Sequence, residues 1–257
     1  MEQLQYILKS IRLSAMAQSL PLRLQEARAN ELPHLDFLVL LVNDELEKRK
    51  DRLLNRRLKA ACFPTLKSLD TFNFHFNPSI NKKTILELCS SRFIHKAESV
   101  LLLGPPGVGK THLAIAIGIS AIQNGYTVSY RSIFDFAEEL AEAHALGARR
   151  ELVQKFVKPN LLIIDEFGMK KLPPTAAEDL LEIFHRRYHN GSTIIATNRP
   201  LEDWGKILGD NAAASAILDR FMDNIHLVTI TGRSYRLKTV PTTQSEQKTV
   251  VKEQEKS

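Results

Sequence analysis

The stretch Gly104-Pro-Pro-Gly-Val-Gly-Lys110-Thr111 restricts this chain more than any other feature. It stands directly after the apolar run SVLLL and directly before an apolar, helix-forming segment. That is the G-x-x-x-x-G-K-[ST] pattern in a strand–turn–helix setting. Glycines at these positions let successive backbone N–H groups curl around phosphate oxygens, and the helix N-terminus adds the positive end of its dipole. Lys110 then reaches the β- and γ-phosphates, while the Thr111 hydroxyl coordinates Mg²⁺. The candidate cradle comprises Gly104, Pro105, Pro106, Gly107, Val108, Gly109, Lys110, Thr111 and His112. The pattern predicts a fold with a strand, a tight glycine turn and a helix in immediate succession.

Fifty-five positions after Lys110 stands Asp165, in the segment Leu161-Leu-Ile-Ile-Asp165-Glu166. Four apolar residues ending in two carboxylates place Asp165 at the carboxyl edge of a buried strand, where ligands of such sheets bind. Asp165 is the candidate for the Mg²⁺ shell, and Glu166 for polarising an attacking water. A carboxylate free to act as base favours nucleoside triphosphate hydrolysis over phosphoryl transfer to a small acceptor. A third apolar run, Ser192–Thr197, ends in Asn198 and Arg199. Asn198 there is a candidate for holding the water or touching the γ-phosphate, although Asn also caps element ends.

Short apolar strands alternate with helices from about Asn81 onward. Strands are expected at Ser99–Leu103, Thr127–Tyr130, Leu161–Asp165, Thr193–Thr197 and His226–Ile230. Helices are expected around His112–Gln123, Ser132–Ala145, Thr175–His189 and Ala212–Phe221. This texture predicts an α/β domain, a parallel sheet covered by helices on both faces. Residues 1–62 read as a small all-α domain: Leu4, Ile7, Leu8 and Ile11 recur at helical spacing. Pro21 is expected to open a second helix and Pro33 a long third one. Residues 63–80 form a linker with one extended piece, FNFHF, between Pro64 and Pro78. Residues 81–237 form the nucleotide domain, and the polar stretch 238–257 a solvated tail.

Charge adds a partner. The chain carries 35 basic and 29 acidic side chains, and the excess is uneven: the first hundred residues hold 16 against 11, the rest 19 against 18. The long helix concentrates Lys48, Arg49, Arg52, Arg56, Arg57 and Lys59, with Arg49, Arg52 and Arg56 on one face. Such a stripe can pair with successive phosphates of duplex DNA, although a charged helix face is also simply solvated. Cys62 and Cys89 make neither a disulfide framework nor a zinc spacing. The longest apolar run, Phe37–Val42, is far short of the roughly 20 residues a membrane span needs. No secretory layout opens the sequence, so a cytoplasmic location is expected. Phe72, Phe74 and Phe76 are expected to pack on the core rather than stack bases. His185 and His189 are at i, i+4 without an acidic base between them, a solvated helix face.

GPPGVGKT, LLIIDEFG, TIIATNRP and AILDRF followed by GRSYRL, with the basic helix and FPTLKSLDTFNF before them, resemble the IstB-like ATPases. These assist transposition of a class of bacterial insertion sequences, and they are related to DnaC helicase loaders within the AAA+ superfamily. The resemblance covers roughly Leu4 to Leu237. It implies an AAA+ ATPase domain with little or no C-terminal helical lid, and ATP held between subunits of a homo-oligomeric ring or helical filament. It also implies a partner transposase. By position Arg220 looks like the arginine finger supplied in trans, the alternative being a helix-end ion pair with Asp219. Arg236 looks like a second sensor toward the nucleotide, a role that the missing lid puts in doubt. A replicative helicase loader, similar to DnaC, has the same nucleotide motifs and is the rival reading.

Overall fold

The computed structural model of the chain describes residues 1–208, 215 and 221–235. It divides into two compact units, with the boundary between Lys59 and Ala60. The first unit is helical: α1 (Glu2–Ser10), α2 (Ser14–Ala29) and α3 (His34–Ala61), whose last two residues pass into the second unit. Ala15, Ala17, Leu20 and Leu41 are buried between them. Pro33 precedes α3 as expected, but Pro21 does not open α2; it lies seven residues inside it. Proline there removes the N–H that would bond the carbonyl of Ala17. The Gln5 side chain donates to that carbonyl over 3.0 Å, which is how the helix continues through.

Two acids of α3 fasten α2. Glu45, buried, accepts the backbone N–H of Ala15 at 2.7 Å and of Met16 at 3.2 Å, capping the start of α2 from another helix. Asp44 accepts two bonds from Arg23, from Nε at 2.9 Å and from Nη2 at 2.7 Å.

The second unit is a five-stranded sheet: β1 (Ser99–Leu103), β2 (Val128–Ser132), β3 (Leu161–Phe167), β4 (Ser192–Thr197) and β5 (Ile225–Thr229). Every pairing is parallel, and the order is β2-β3-β4-β1-β5. Strands buried on both faces explain the unbroken apolar runs in the sequence. The α/β expectation holds, each strand falling within two residues of its expected bounds. The helices are α4 (Lys82–Cys89), α5 (Arg92–His95), α6 (Lys110–Gln123), α7 (Ile133–Ala145), α8 (Arg149–Val157), α9 (Pro174–Arg187) and α10 (Trp204–Leu208). α6 is apolar nearly all round because it is buried nearly all round, Leu113 to Ile117 being inaccessible. The expected helix over Ala212–Phe221 lies outside the described residues, apart from Ser215 and Phe221. No described helix is long and apolar enough to cross a membrane.

The linker departs from expectation. FNFHF is not a strand: a 3-10 turn at Leu69–Thr71 leads into a turn at Phe74–Phe76. Asn73 decides this, since its Oδ1 accepts the N–H of His75 at 3.0 Å and of Phe76 at 3.3 Å. Such an Asx turn offers the backbone a partner that outcompetes ladder formation by an isolated segment. The three phenylalanines remain half-buried against the nucleotide domain, as the alternation indicated.

Candidate nucleotide site

β1 stops at Leu103, and the chain turns through the glycines into α6. Gly107 (φ +81°) and Gly109 (φ +107°) have left-handed backbones. A Cβ on Gly107 would lie 2.0 Å from Ser234 Oγ, and one on Gly109 2.7 Å from Phe72 Cε2. Glycine is therefore required twice over, by conformation and by space. Gly109 stands at the N-cap of α6, and Lys110 begins the helix. The first amides of α6 have no intrahelical acceptor and, with the dipole, form an anion site. Lys110 Nζ donates to the carbonyls of Gly104 at 2.7 Å and Pro105 at 2.8 Å, which keeps the ammonium at the mouth of the turn.

The sheet order brings the other motifs to this turn. β4 lies between β1 and β3, with Leu103 opposite Thr197 and Thr197 opposite Phe167. Asn198, next along β4, thus falls between the glycine turn and the acid pair. A cavity of about 80 Å³ is lined by Lys110, Thr111, Asp165, Glu166, Thr197 and Asn198, with the Pro106–Gly107 turn. All three sequence motifs meet there. Asn198 Oδ1 is buried without a hydrogen-bond partner among the described residues. A buried acceptor left bare is costly unless something else supplies its donor.

Asp165 is buried, 2% exposed. Its Oδ2 accepts the phenol of Tyr130 at 2.8 Å and its Oδ1 the amide of Glu166 at 2.8 Å. Burial, reinforced by the negative charge of Asp165, pushes the Tyr130 phenol far above its ordinary value, so it stays a donor. Glu166 is exposed, and its backbone is left-handed (φ +57°) at a bulge where β3 has one residue more than β4. The bulge re-aims the side chain out of the strand's alternation, and a non-glycine residue at positive φ is strained. The donor set fits Mg²⁺: a hydroxyl at Thr111 and one carboxylate, hard oxygens that leave places for waters and phosphate oxygens. Among the described residues no group of three or more His, Cys, Asp or Glu side chains forms a metal cage.

A larger cavity of about 410 Å³ adjoins the turn's other side. The linker residues Lys67, Thr71, Phe72, Asn73, Phe76 and Asn77 wall it, with Gly107–His112 and Tyr235. Gly107, Lys110 and Thr111 line both cavities. Asn77 Nδ2 donates to the carbonyl of Val108 at 2.9 Å, and Tyr235 N–H to that of Gly107 at 2.9 Å. Phe72 meets the His112 ring edge-on, and Phe76 meets Tyr235 likewise. His112 Nε2 also lies 2.9 Å from the carbonyl of Ser68. Aromatic and amide groups beside a phosphate turn suit a nucleobase. Sequence reasoning missed Tyr130 and this wall; the alternating phenylalanines were the available signal.

The basic residues of α3 up to Lys59 belong to the first unit. Lys48, Arg49, Arg52, Arg56 and Lys59 are exposed and Arg57 is half-buried. Arg49 is engaged within the unit, with Glu45 Oε1 at 2.9 Å and the carbonyl of Arg12 at 3.0 Å. Arg52 donates to Ser14 Oγ at 3.0 Å. Lys48, Arg52, Arg56 and Lys59, spaced by four, four and three residues, form one exposed row along the helix. Arg220 and Arg236 lie outside the described residues.

Residues 6–243 match the family model described as IstB-like ATP binding protein. The chain belongs to this family. It is 36% identical over 228 residues to the ATP-binding protein of insertion sequence IS5376 from Geobacillus stearothermophilus, covering 89% of this chain and 91% of that one. The corresponding protein of insertion sequence IS21 from Pseudomonas aeruginosa is 34% identical over 238 residues, covering 93% and 90%. Among solved structures, the DnaC helicase loader is similar with a TM-score of 0.52 and 26% identity, covering 63% of this chain and 96% of that one. DnaA bound to AMPPCP and single-stranded DNA shares the fold, with a TM-score of 0.54 and 24% identity. That match covers 66% of this chain and about half, 51%, of DnaA. This IstB-like chain is accordingly an ATP-binding AAA+ P-loop ATPase.

Proposed function

We propose that this protein is an ATP-dependent DNA-binding helper of insertion-sequence transposition. ATP binds with its base against the linker wall and its phosphates along the Gly104–Thr111 turn. Mg²⁺, bound by Thr111 and Asp165, would neutralise charge on the β- and γ-phosphates. Glu166 orients and polarises the attacking water, and Asn198 donates to the γ-phosphate or that water through its amide. Arg220, on the family likeness, is contributed by a neighbouring copy to stabilise the developing charge. The single observation that carries the hydrolytic reading is the one cavity lined by Lys110, Thr111, Asp165, Glu166 and Asn198, in which the buried Asn198 Oδ1 has no hydrogen-bond partner among the described residues.

Nucleotide held between copies assembles them as a ring or helical filament, since a ligand that binds the assembled state better shifts that equilibrium. The Lys48–Lys59 stripes of successive copies then present a basic track to duplex DNA, and a partner transposase is directed to that DNA. Hydrolysis dismantles the assembly. The insertion-sequence relatives support this over helicase loading, because their likeness takes in the N-terminal helices as well as the ATPase domain. The deciding experiment is electron microscopy and light scattering of the full chain with duplex DNA, Mg²⁺ and a slowly hydrolysed ATP analogue. Multimers on DNA are expected. A protein that stays monomeric and ignores duplexes would overturn the proposal.

A further inference from the structure

A second cationic surface lies at the carboxyl edge of the sheet, beside the loop that follows Glu166. Here a cavity of about 390 Å³ is lined by Gly168, Met169, Lys171, Arg199, Asp203 and Lys206. Lys170 is exposed on the same loop. The cations come from three segments: the loop after β3, the end of β4 and α10. Asp203 pairs with Lys206 at 3.0 Å, and Lys170, Lys171 and Arg199 have no carboxylate partner among the described residues. The second hundred-odd residues of the chain are close to neutral overall, so this local excess is not background.

We propose that Lys170, Lys171 and Arg199 form a DNA-backbone contact on the ATPase unit, and that through it DNA acts on hydrolysis. The inference rests on the reading of the chain as a DNA-binding ATPase and names a site additional to α3. A single acidic side chain would need one guanidinium; three cations without a carboxylate partner, on two separate segments, suit a polyanion with several phosphates. The route to hydrolysis is short and made of hydrogen bonds. Met169 N–H donates to the carbonyl of Glu166 at 3.0 Å, closing the turn that leads directly into Lys170 and Lys171. Thr197 Oγ1 donates to the carbonyl of Phe167 at 2.6 Å and accepts the N–H of Arg199 at 3.0 Å. Phosphates drawn onto Lys170, Lys171 and Arg199 therefore pull on the two backbone segments that hold Glu166 and Asn198. The strained, left-handed Glu166 is the residue best placed to respond.

The test uses the full chain, a labelled duplex with Mg²⁺ and a slowly hydrolysed ATP analogue, and ATP turnover with and without unlabelled duplex. Three proteins are compared: wild type, Lys170→Glu/Lys171→Glu, and Lys48→Glu/Arg56→Glu. The loop variant is expected to bind duplex on the order of tenfold more weakly, with a salt slope smaller by about 1 to 2. Its turnover without DNA should stay within twofold of wild type, and the DNA-dependent change in turnover should disappear. Unchanged affinity and slope in the loop variant, with wild type binding DNA and the α3 variant weakened, would sink this site alone. Loss of DNA-free turnover in the loop variant would assign the cations to a neighbouring copy instead and equally overturn it. Wild-type turnover indifferent to bound DNA would overturn the coupling. Failure of wild type to bind any duplex would count against the broader function.

Discussion

The phenol of Tyr130, on β2, donates to Oδ2 of Asp165, on β3, over 2.8 Å, and both groups are buried. Asp165 accepts its other bond, through Oδ1, from the amide of Glu166, so the two bonds together fix the orientation of the carboxylate in the cavity it shares with Thr111. Tyr130→Phe leaves Oδ2 buried and bare, a loss of about 1–3 kcal/mol. It should lower the thermal midpoint and raise the Mg²⁺ concentration at which turnover is half-maximal, with nucleotide affinity in the absence of metal little changed. Thermal unfolding and a Mg²⁺ titration of turnover check this. An unchanged Mg²⁺ requirement would remove Tyr130 from the site.

Glu166 and Asn198 occupy one cavity but are assigned different tasks, which mutation can separate. Glu166→Gln keeps the shape and removes the charge, so nucleotide should bind within about threefold of wild type. Turnover should fall at least 10²-fold, the usual scale for a general base. Asn198→Asp puts a negative charge beside the γ-phosphate and should weaken binding as well as turnover, whereas Asn198→Ala should chiefly slow turnover. Fluorescent-nucleotide titration alongside steady-state turnover distinguishes these. Turnover near wild type in Glu166→Gln would place the base elsewhere.

What the sequence revealed follows from where the determining interactions lie. The glycine turn, β1 and α6 were legible because their requirements are local: positive φ, an apolar strand and a helix start within a score of residues. The edge position of Asp165 and Asn198 was legible because a strand buried on both faces ends where its apolar run ends. Pro21 misled because its missing donor is compensated by Gln5, twelve residues before the carbonyl it serves. FNFHF misled because alternation reports burial, while Asn73 governs the backbone. Tyr130 was hidden, since a tyrosine in the mixed strand Val128–Ser132 gives no sign of an acid two strand positions along its neighbour.

Acid should loosen the helical unit from the α2–α3 contact outward. Asp44 lies below the ordinary aspartate range, held there chiefly by its hydrogen bonds from Arg23. Burial raises the Glu45 carboxyl, but the Arg49 bond and the amides of Met16 and Ala15 outweigh it and leave it lowered. A carboxylate with a lowered folded-state value contributes stability that is full above its unfolded value and lost as pH falls through the folded one. For these two the loss begins below about pH 4. Hydrogen exchange of the full chain, read at residues 1–61, should show protection falling there as pH drops from 5 to 3. Arg23→Gln should lower protection at neutral pH and flatten that fall. A fall of undiminished steepness in the variant would exclude Asp44 as its source.

The bond from Gln5 to the carbonyl of Ala17 has a consequence that a double-mutant cycle isolates. Gln5→Leu removes the only side-chain donor reaching that carbonyl among the described residues, and Pro21 withholds the helical one. The single change should therefore cost about 1 kcal/mol, the usual scale for a lost hydrogen bond. Pro21→Ala restores an N–H at the position that bonds residue 17 within an α-helix. In that background the carbonyl has its partner with or without Gln5, so Gln5→Leu should cost much less. Denaturant unfolding of the four proteins gives the coupling directly, and it should be of the same sign and roughly the same size as the single loss. Equal costs of Gln5→Leu in both backgrounds would mean that the glutamine serves the packing of α1 and not the gap left by the proline.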